Sequence, residues 1–200
     1  MKRQLKRLGA MLVAFVLAIT SAFMGISTKA YAQATADTKE KDVAQEDRTT
    51  ASAGLSIQGN KLLDGNGKEV ILRGVNIPHA WFPKYTQSSI EDVAALGSNA
   101  VRVVLSSGDA YTKNTKSELG DIIKWSKETG QICILELHDF TGSGKSADIT
   151  ESAVSYWREM KDIINENKDY VILNIANEWC GQWETGSLWA DTYSEAIPAL

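Results

Sequence analysis

No G-x-G-x-x-G run and no P-loop follows any strand-like segment of this sequence. Nucleotide-binding α/β folds cradle phosphates on such glycine-rich turns, so that class of function loses its main support. Clustered Lys and Arg are also absent beyond the first seven residues. Phosphate contacts require such clusters, which argues against nucleic acid or anionic lipid as a partner. Cysteine is limited to Cys133 and Cys180, leaving geometry to decide whether they bridge. Asp109, Asp139 and Asp148 show no metal-ligand spacing and read as solvated surface acids; no obligatory metal or other cofactor is expected.

What is present begins at the amino terminus. Lys2, Arg3, Lys6 and Arg7 precede the apolar run "LGAMLVAFVLAITSAFMGI", which leads to Ala30, Tyr31 and Ala32. That order of basic, apolar and small-x-small segments predicts a secretory leader over residues 1–32. The competing reading is an uncleaved anchor, since about 19 apolar residues just span a bilayer. Thr20, Ser21 and Gly25 weaken that span, and the small-residue exit favours cleavage. Cleavage removes five of the 21 basic residues and none of the 25 acidic ones, leaving 16 against 25 and a net charge of −9. The expectation is a secreted, extracellular, acidic protein with no stable membrane association. Residues 33–53 are charged and small without periodicity, which reads as a flexible spacer.

From residue 54 the pattern becomes regular. Leu55–Ile57 and Lys61–Leu63 are short strand candidates around Gly59-Asn60, and Asp64–Gly67 is a turn rich in residues that tolerate positive φ. Val70–Val75 reads as the first longer strand. Ser88 and Glu91 have capping-box spacing and open a helix that stops at Gly97. Ala100–Leu105 is a second strand. Leu119, Ile122 and Ile123 recur at helical spacing before Gly130. Ile132–Leu137 is a third strand, followed by a long amphipathic helix from Asp148. Val171–Ala176 is a fourth strand, and a further helix begins near Ser187. Strands alternating with amphipathic helices predict right-handed βαβ units around a parallel sheet. The expected fold class is α/β: about the first four units of a (β/α)8 TIM barrel over residues 54–200. A whole barrel typically takes about 250 residues.

In such folds the functional residues project from the carboxyl ends of the strands. Side chains alternate faces along a strand, which puts Ile134, Glu136 and His138 on one side and Cys133, Leu135 and Leu137 on the other. Arg102 and Val104 share a face on the second strand, making Arg102 a near neighbour of Glu136 inside a barrel. A buried carboxylate needs such a partner. Cys133 lies well below its strand top and Cys180 beyond its own, farther apart than the roughly 7 Å between α-carbons that a disulfide allows. At the fourth strand end, Asn177, Glu178 and Trp179 follow the apolar run. Apolar surroundings there raise a carboxyl pKa and suit Glu178 to general acid catalysis. Asn177 suits a substrate hydroxyl, and Trp179 or Trp183 the flat face of a sugar.

The motifs "RGVNI", "VRVVL", "LELHD" and "ANEW" at four successive strand ends resemble glycoside hydrolase family 5. "HAWF", "LSSG" and "NEWCGQW" resemble its bacterial endo-1,4-β-mannanase branch. The resemblance implies a retaining β-glycosidase acting on β-mannan or a related β-1,4-linked polysaccharide. It implies Glu178 as acid/base, Asn177 as partner of the sugar 2-hydroxyl, and Arg102 and His138 as groups that orient the catalytic carboxylates. Trp81 is implied as a sugar-stacking residue. The family's nucleophile is a second glutamate on strand seven, so the resemblance also implies an amino-terminal portion of a longer enzyme, inactive by itself.

Other readings compete. A β-1,4-glucanase of the same family uses the same motifs, and a half-barrel keeping aromatic platforms is a non-catalytic carbohydrate binder. Glu178 also suits a helix N-terminus, Arg102 and Glu136 a purely structural pair, and His138 a loop contact. Trp125 and Trp157 fall on helix patterns and read as core.

Overall fold

A computed structural model describes residues 54–181 and 186–200. The expected leader over 1–32, the spacer over 33–53, and Trp183 and Glu184 lie outside the described residues. The chain opens with an antiparallel hairpin, β1 (Ser56–Gln58) and β2 (Lys61–Leu63), which turns at Gly59 with φ 62°. Four strands then alternate with helices: β3 (Gly74–Ile77), α1 (Thr86–Ala95), β4 (Ala100–Leu105), α2 (Lys116–Glu128), β5 (Ile132–Leu137), α3 (Val154–Glu166), β6 (Val171–Asn174) and α4 (Leu188–Ala199). The sheet is parallel in the order β3-β4-β5-β6. This is the expected succession of β/α units.

β1 and β6 differ from expectation by one or two residues, at Ser56–Gln58 and Val171–Asn174, and three further departures have identifiable reasons. The strand expected from Val70 begins only at Gly74, because Asn99 occupies the backbone before it. The Asn99 side chain accepts from Arg73 N–H at 2.6 Å and donates to the Ile71 carbonyl at 2.9 Å, replacing ladder bonds. At Gly74 itself a Cβ would stand 1.9 Å from the Ala100 carbonyl oxygen, so no side chain fits where β3 meets β4. The capping box expected at Ser88 and Glu91 does not form, because α1 already begins at Thr86 after a 3-10 turn at Pro83–Tyr85. Ser88 donates to the Tyr85 carbonyl instead, and Glu91 accepts from Gln87. The capping box is at α2, where Thr115 and Glu118 bond each other's backbone N–H. The helix expected from Asp148 starts as a π-helical turn, Asp148–Ala153, and continues as α3.

The core lies on the outer side of the sheet. Val101, Val103, Leu105, Cys133, Leu135 and Leu137 are fully buried with Leu119 and Ile122 of α2 and Trp157 and Met160 of α3. Burying one such aliphatic side chain stabilises by about 1.5–3 kcal/mol. Trp157 donates its indole N–H to the Ile175 carbonyl at 2.9 Å, so its one polar atom is satisfied. Cys133 is not joined to Cys180, and burial pushes its thiol pKa up to about 12. Among the described residues no helix is long and apolar enough to cross a membrane.

Candidate active site

Backbone pairing continues one step past the strand tops and aligns the site. His138 N–H donates to the Leu105 carbonyl at 3.0 Å, and Asn177 N–H to the Leu137 carbonyl at 2.8 Å. Arg102 reaches toward Asn177 from β4. Its Nη2 donates to Asn177 Oδ1 at 2.8 Å, its Nη1 to Asn76 Oδ1 at 3.4 Å, and Nη1 stands 3.5 Å from Glu136 Oε2. Glu136 Oε1 is 3.1 Å from His138 Nδ1. Asn177 Nδ2 donates to Thr141 Oγ1 at 3.0 Å. The structure thus brings Arg102, His138 and Asn177 together, with Asn76, Glu136 and Thr141 completing the network.

Glu136 is fully buried at its centre. Burial raises its pKa, while the Arg102 and His138 charges and the His138 hydrogen bond pull against that rise. When Glu136 is ionised it can only accept, so Nδ1 of His138 donates to it. The pairing of Arg102 with Glu136 follows from strand parity alone. Asn76 and Thr141 are additions that sequence reading missed. Asn76 pairs in register with Arg102 across the β3–β4 ladder, a signal that an earlier start to β3 obscures.

Glu178 carries the single positive φ of a non-glycine residue among the described residues, 39°. Non-glycine residues occupy this left-handed region at a cost of about 1–2 kcal/mol. Two bonds to the Glu178 carbonyl hold it there, from Gly142 N–H at 2.9 Å and Gly181 N–H at 3.0 Å. The turn leaves Glu178 exposed and sends the next residue inward. The apolar enclosure expected around Glu178 is not supplied by the described residues. Trp179 is also corrected. It is 2% exposed, packs edge-on to Tyr193 at 6.0 Å and donates its indole N–H to the Lys145 carbonyl at 2.9 Å. No face of it is free for a sugar; it anchors the loop beneath Glu178. Trp81 is 40% exposed, with its ring centroid 5.1 Å from that of His138.

Two further residues were misread or missed. Asp139 is not a solvated surface acid. It accepts from Ser106 Oγ, Ser107 N–H, Ser107 Oγ and Ala110 N–H at 2.7, 2.7, 3.2 and 2.7 Å. Burial alone raises its pKa, but these bonds outweigh burial and hold the carboxyl below its ordinary range. His79 is buried, with Nδ1 2.7 Å from Thr86 Oγ1 and Nε2 3.7 Å from Glu118 Oε1. Burial lowers its pKa against the opposing pull of Glu118.

The model of the cellulase family, glycosyl hydrolase family 5, matches residues 63–200, which include every residue of this network. The chain belongs to glycosyl hydrolase family 5. Its four parallel strands with their helices are accordingly part of a (β/α)8 barrel. Among family 5 relatives, the mannan endo-1,4-β-mannosidase of Cellvibrio japonicus (strain Ueda107) is 42% identical over 152 residues, 76% of this chain and 35% of the relative. The β-mannanase/endoglucanase A of Caldicellulosiruptor saccharolyticus is 39% identical over 132 residues, 64% of this chain and 10% of the relative. The β-mannanase of Thermomonospora fusca, solved with mannohexaose, superposes with a TM-score of 0.67 at 40% identity, covering 74% of this chain and 50% of that one. The chain therefore spans half or less of the length of these relatives.

Proposed function

We propose that this chain supplies the acid/base side of the active site of a secreted, retaining endo-β-1,4-mannanase acting on mannan or glucomannan. The observation that carries the reading is the Arg102–Asn177 hydrogen bond at 2.8 Å, which fastens the Asn177–Glu178 pair to the strand tops. It is supported by about 40% identity to mannanases over three quarters of the chain.

In this reading Glu178 protonates the glycosidic oxygen as the bond breaks and then takes a proton from the incoming water. Its exposure leaves it open to a polymer lying across the strand ends. Asn177 holds the sugar 2-hydroxyl, its side chain already oriented by Arg102 and Thr141. His138 and Arg102 position and polarise, with Glu136 as their common anion. Trp81 and, outside the described residues, Trp183 provide sugar-stacking faces. Retention requires a second carboxyl group about 5–5.5 Å from the first. Glu136 is buried beneath Arg102 and His138 and cannot reach an anomeric carbon, so the nucleophile is assigned outside the described residues. The basic and apolar leader over residues 1–32 supports export.

Reducing-sugar release by the intact protein from galactomannan against carboxymethylcellulose tests the substrate. Glu178→Gln is expected to lower kcat on the polysaccharide by about 10²–10⁴-fold, the usual worth of a general acid/base. An aryl glycoside with a good leaving group should lose less in its first step. Undiminished turnover by Glu178→Gln overturns the assignment. A β-1,4-glucanase is the second reading, favoured by the Caldicellulosiruptor relative whose name joins both activities. Release from glucan alone replaces the first reading with the second.

A further inference from the structure

After β4 the chain leaves the sheet at Ser106 and returns to a helix at Lys116. This excursion is closed at its neck by two reciprocal bonds, Ser106 N–H to Asn114 Oδ1 and Asn114 N–H to the Ser106 carbonyl, both 2.9 Å. Beneath it, the Asp139 carboxylate binds Ser106, Ser107 and Ala110 through the four bonds given above. Loop tips are ordinarily the mobile part of a fold. This one is stapled to the residue next to His138 by charge-assisted hydrogen bonds, the stronger kind.

Tyr111 follows the last stapled residue. Its ring meets that of Trp81 at 5.1 Å and 69°, and lies 6.5 Å from His138. Trp81 in turn meets His138 edge-on at 5.1 Å and 80°. Trp81 and Tyr111 nevertheless remain 40% and 37% exposed. The two rings thus form an open corner of 69° against an imidazole at a strand end. A pyranose ring has the matching shape, with an apolar C–H face for one ring and hydroxyls at its edge for the phenol of the other. A corner held in place before binding avoids the ordering cost that a mobile loop would incur.

We infer that Tyr111 is a sugar-contacting residue that pairs with Trp81 to hold one pyranoside unit of a β-1,4-linked polysaccharide, and that Asp139 is its positioning residue. This rests on the polysaccharide-hydrolase reading above and adds to it a binding surface outside the acid/base network. Tyr111 touches the bound chain, whereas Asp139 acts only through the loop.

The test compares Tyr111→Ala, Tyr111→Phe and Asp139→Asn in the intact protein. Tyr111→Ala is expected to raise KM for mannohexaose by about three- to tenfold with kcat unchanged, the size of an aromatic contact. Tyr111→Phe should restore part of the loss, because it keeps the ring and gives up the hydroxyl. Asp139→Asn should raise KM in the same direction, and the double variant with Tyr111→Ala should be no worse than the worse single. If Asp139→Asn does not fold, Ser107→Ala removes one of the four bonds and carries the same expectation at smaller size. An unchanged KM for Tyr111→Ala overturns the contact, and fully additive losses in the double variant overturn the positioning role. Wild type and Tyr111→Ala are also run in mannan and glucan affinity gels. Equal retardation in both overturns the proposal, whereas absence of turnover by the wild type, with unequal retardation, overturns only the hydrolase reading.

Discussion

On the outer face of the sheet, Val101, Val103, Leu105, Cys133, Leu135 and Leu137 are all fully buried with the apolar faces of α2 and α3. On the inner face, the same two strands carry Arg102 and Glu136, and His138 stands one step above. Neighbouring residues of one strand therefore do opposite work. The outer side chains stabilise by leaving water and need no particular partner beyond a good fit. The inner ones lose solvation and must regain it from one another, which is why each contacts another polar group of the network. A face of this kind is a weak source of stability and a good source of orientation.

Arg102→Ala is the most damaging way to break that contrast. It leaves the Glu136 carboxylate buried without its cation, and should cost about 3–5 kcal/mol in urea denaturation of the intact protein. Activity should fall with it, since Asn177 loses its 2.8 Å anchor. Adding Glu136→Gln should return part of the stability and none of the activity. Wild-type stability in Arg102→Ala would mean that the inner face is not a charge network at all.

Leu135→Ala probes the other face. A fully buried leucine truncated to alanine should cost about 3 kcal/mol, while kcat per folded molecule stays at the wild-type value. A fall in kcat at low denaturant would show that the two faces are coupled rather than separate.

Acid titration gives the smallest effect. His79 has a lowered folded pKa, so the unfolded chain binds its proton first and stability should begin to fall below about pH 6.5. Asp139 also has a lowered folded pKa, so its contribution is present above about pH 4 and is lost as pH falls through the folded value. Thermal unfolding scans of the intact protein should show both declines. Asp139→Asn should diminish the lower one and leave the upper, since Glu118 is held low as well, burial raising its carboxyl but the bonds from Thr115 and Asn114 outweighing it; an undiminished lower decline would separate the loop staple from stability.

How much of this was readable beforehand differs by feature. Strand parity placed Glu136, His138 and Arg102 on one side correctly, because alternation is a property of the strand itself. The core role of Trp157 followed from helical spacing for the same reason. The start of α1 did not follow, since a capping signature at Ser88 is local and the Pro83–Tyr85 turn before it had already set the helix going. Trp179 was misjudged because "NEW" reads as three site residues, while the left-handed turn at Glu178 sends the third one into the core. Tyr111 gave no signal at all: its meaning comes from Trp81 and Asp139, neither of them near it in the chain.

The sequence by itself determined the succession of parallel β/α units, the apolar outer face and the common side of Arg102, Glu136 and His138, since these depend on periods of two and 3.6 residues read within single elements. Only the tertiary structure decided which of those residues meet. The Arg102–Asn177 bond joins positions 75 apart, Arg102–Asn76 positions 26 apart, and the Asp139 staple positions about 30 apart. Such pairs form where neighbouring strand tops and loops converge, and no local pattern specifies how a loop closes over a strand end.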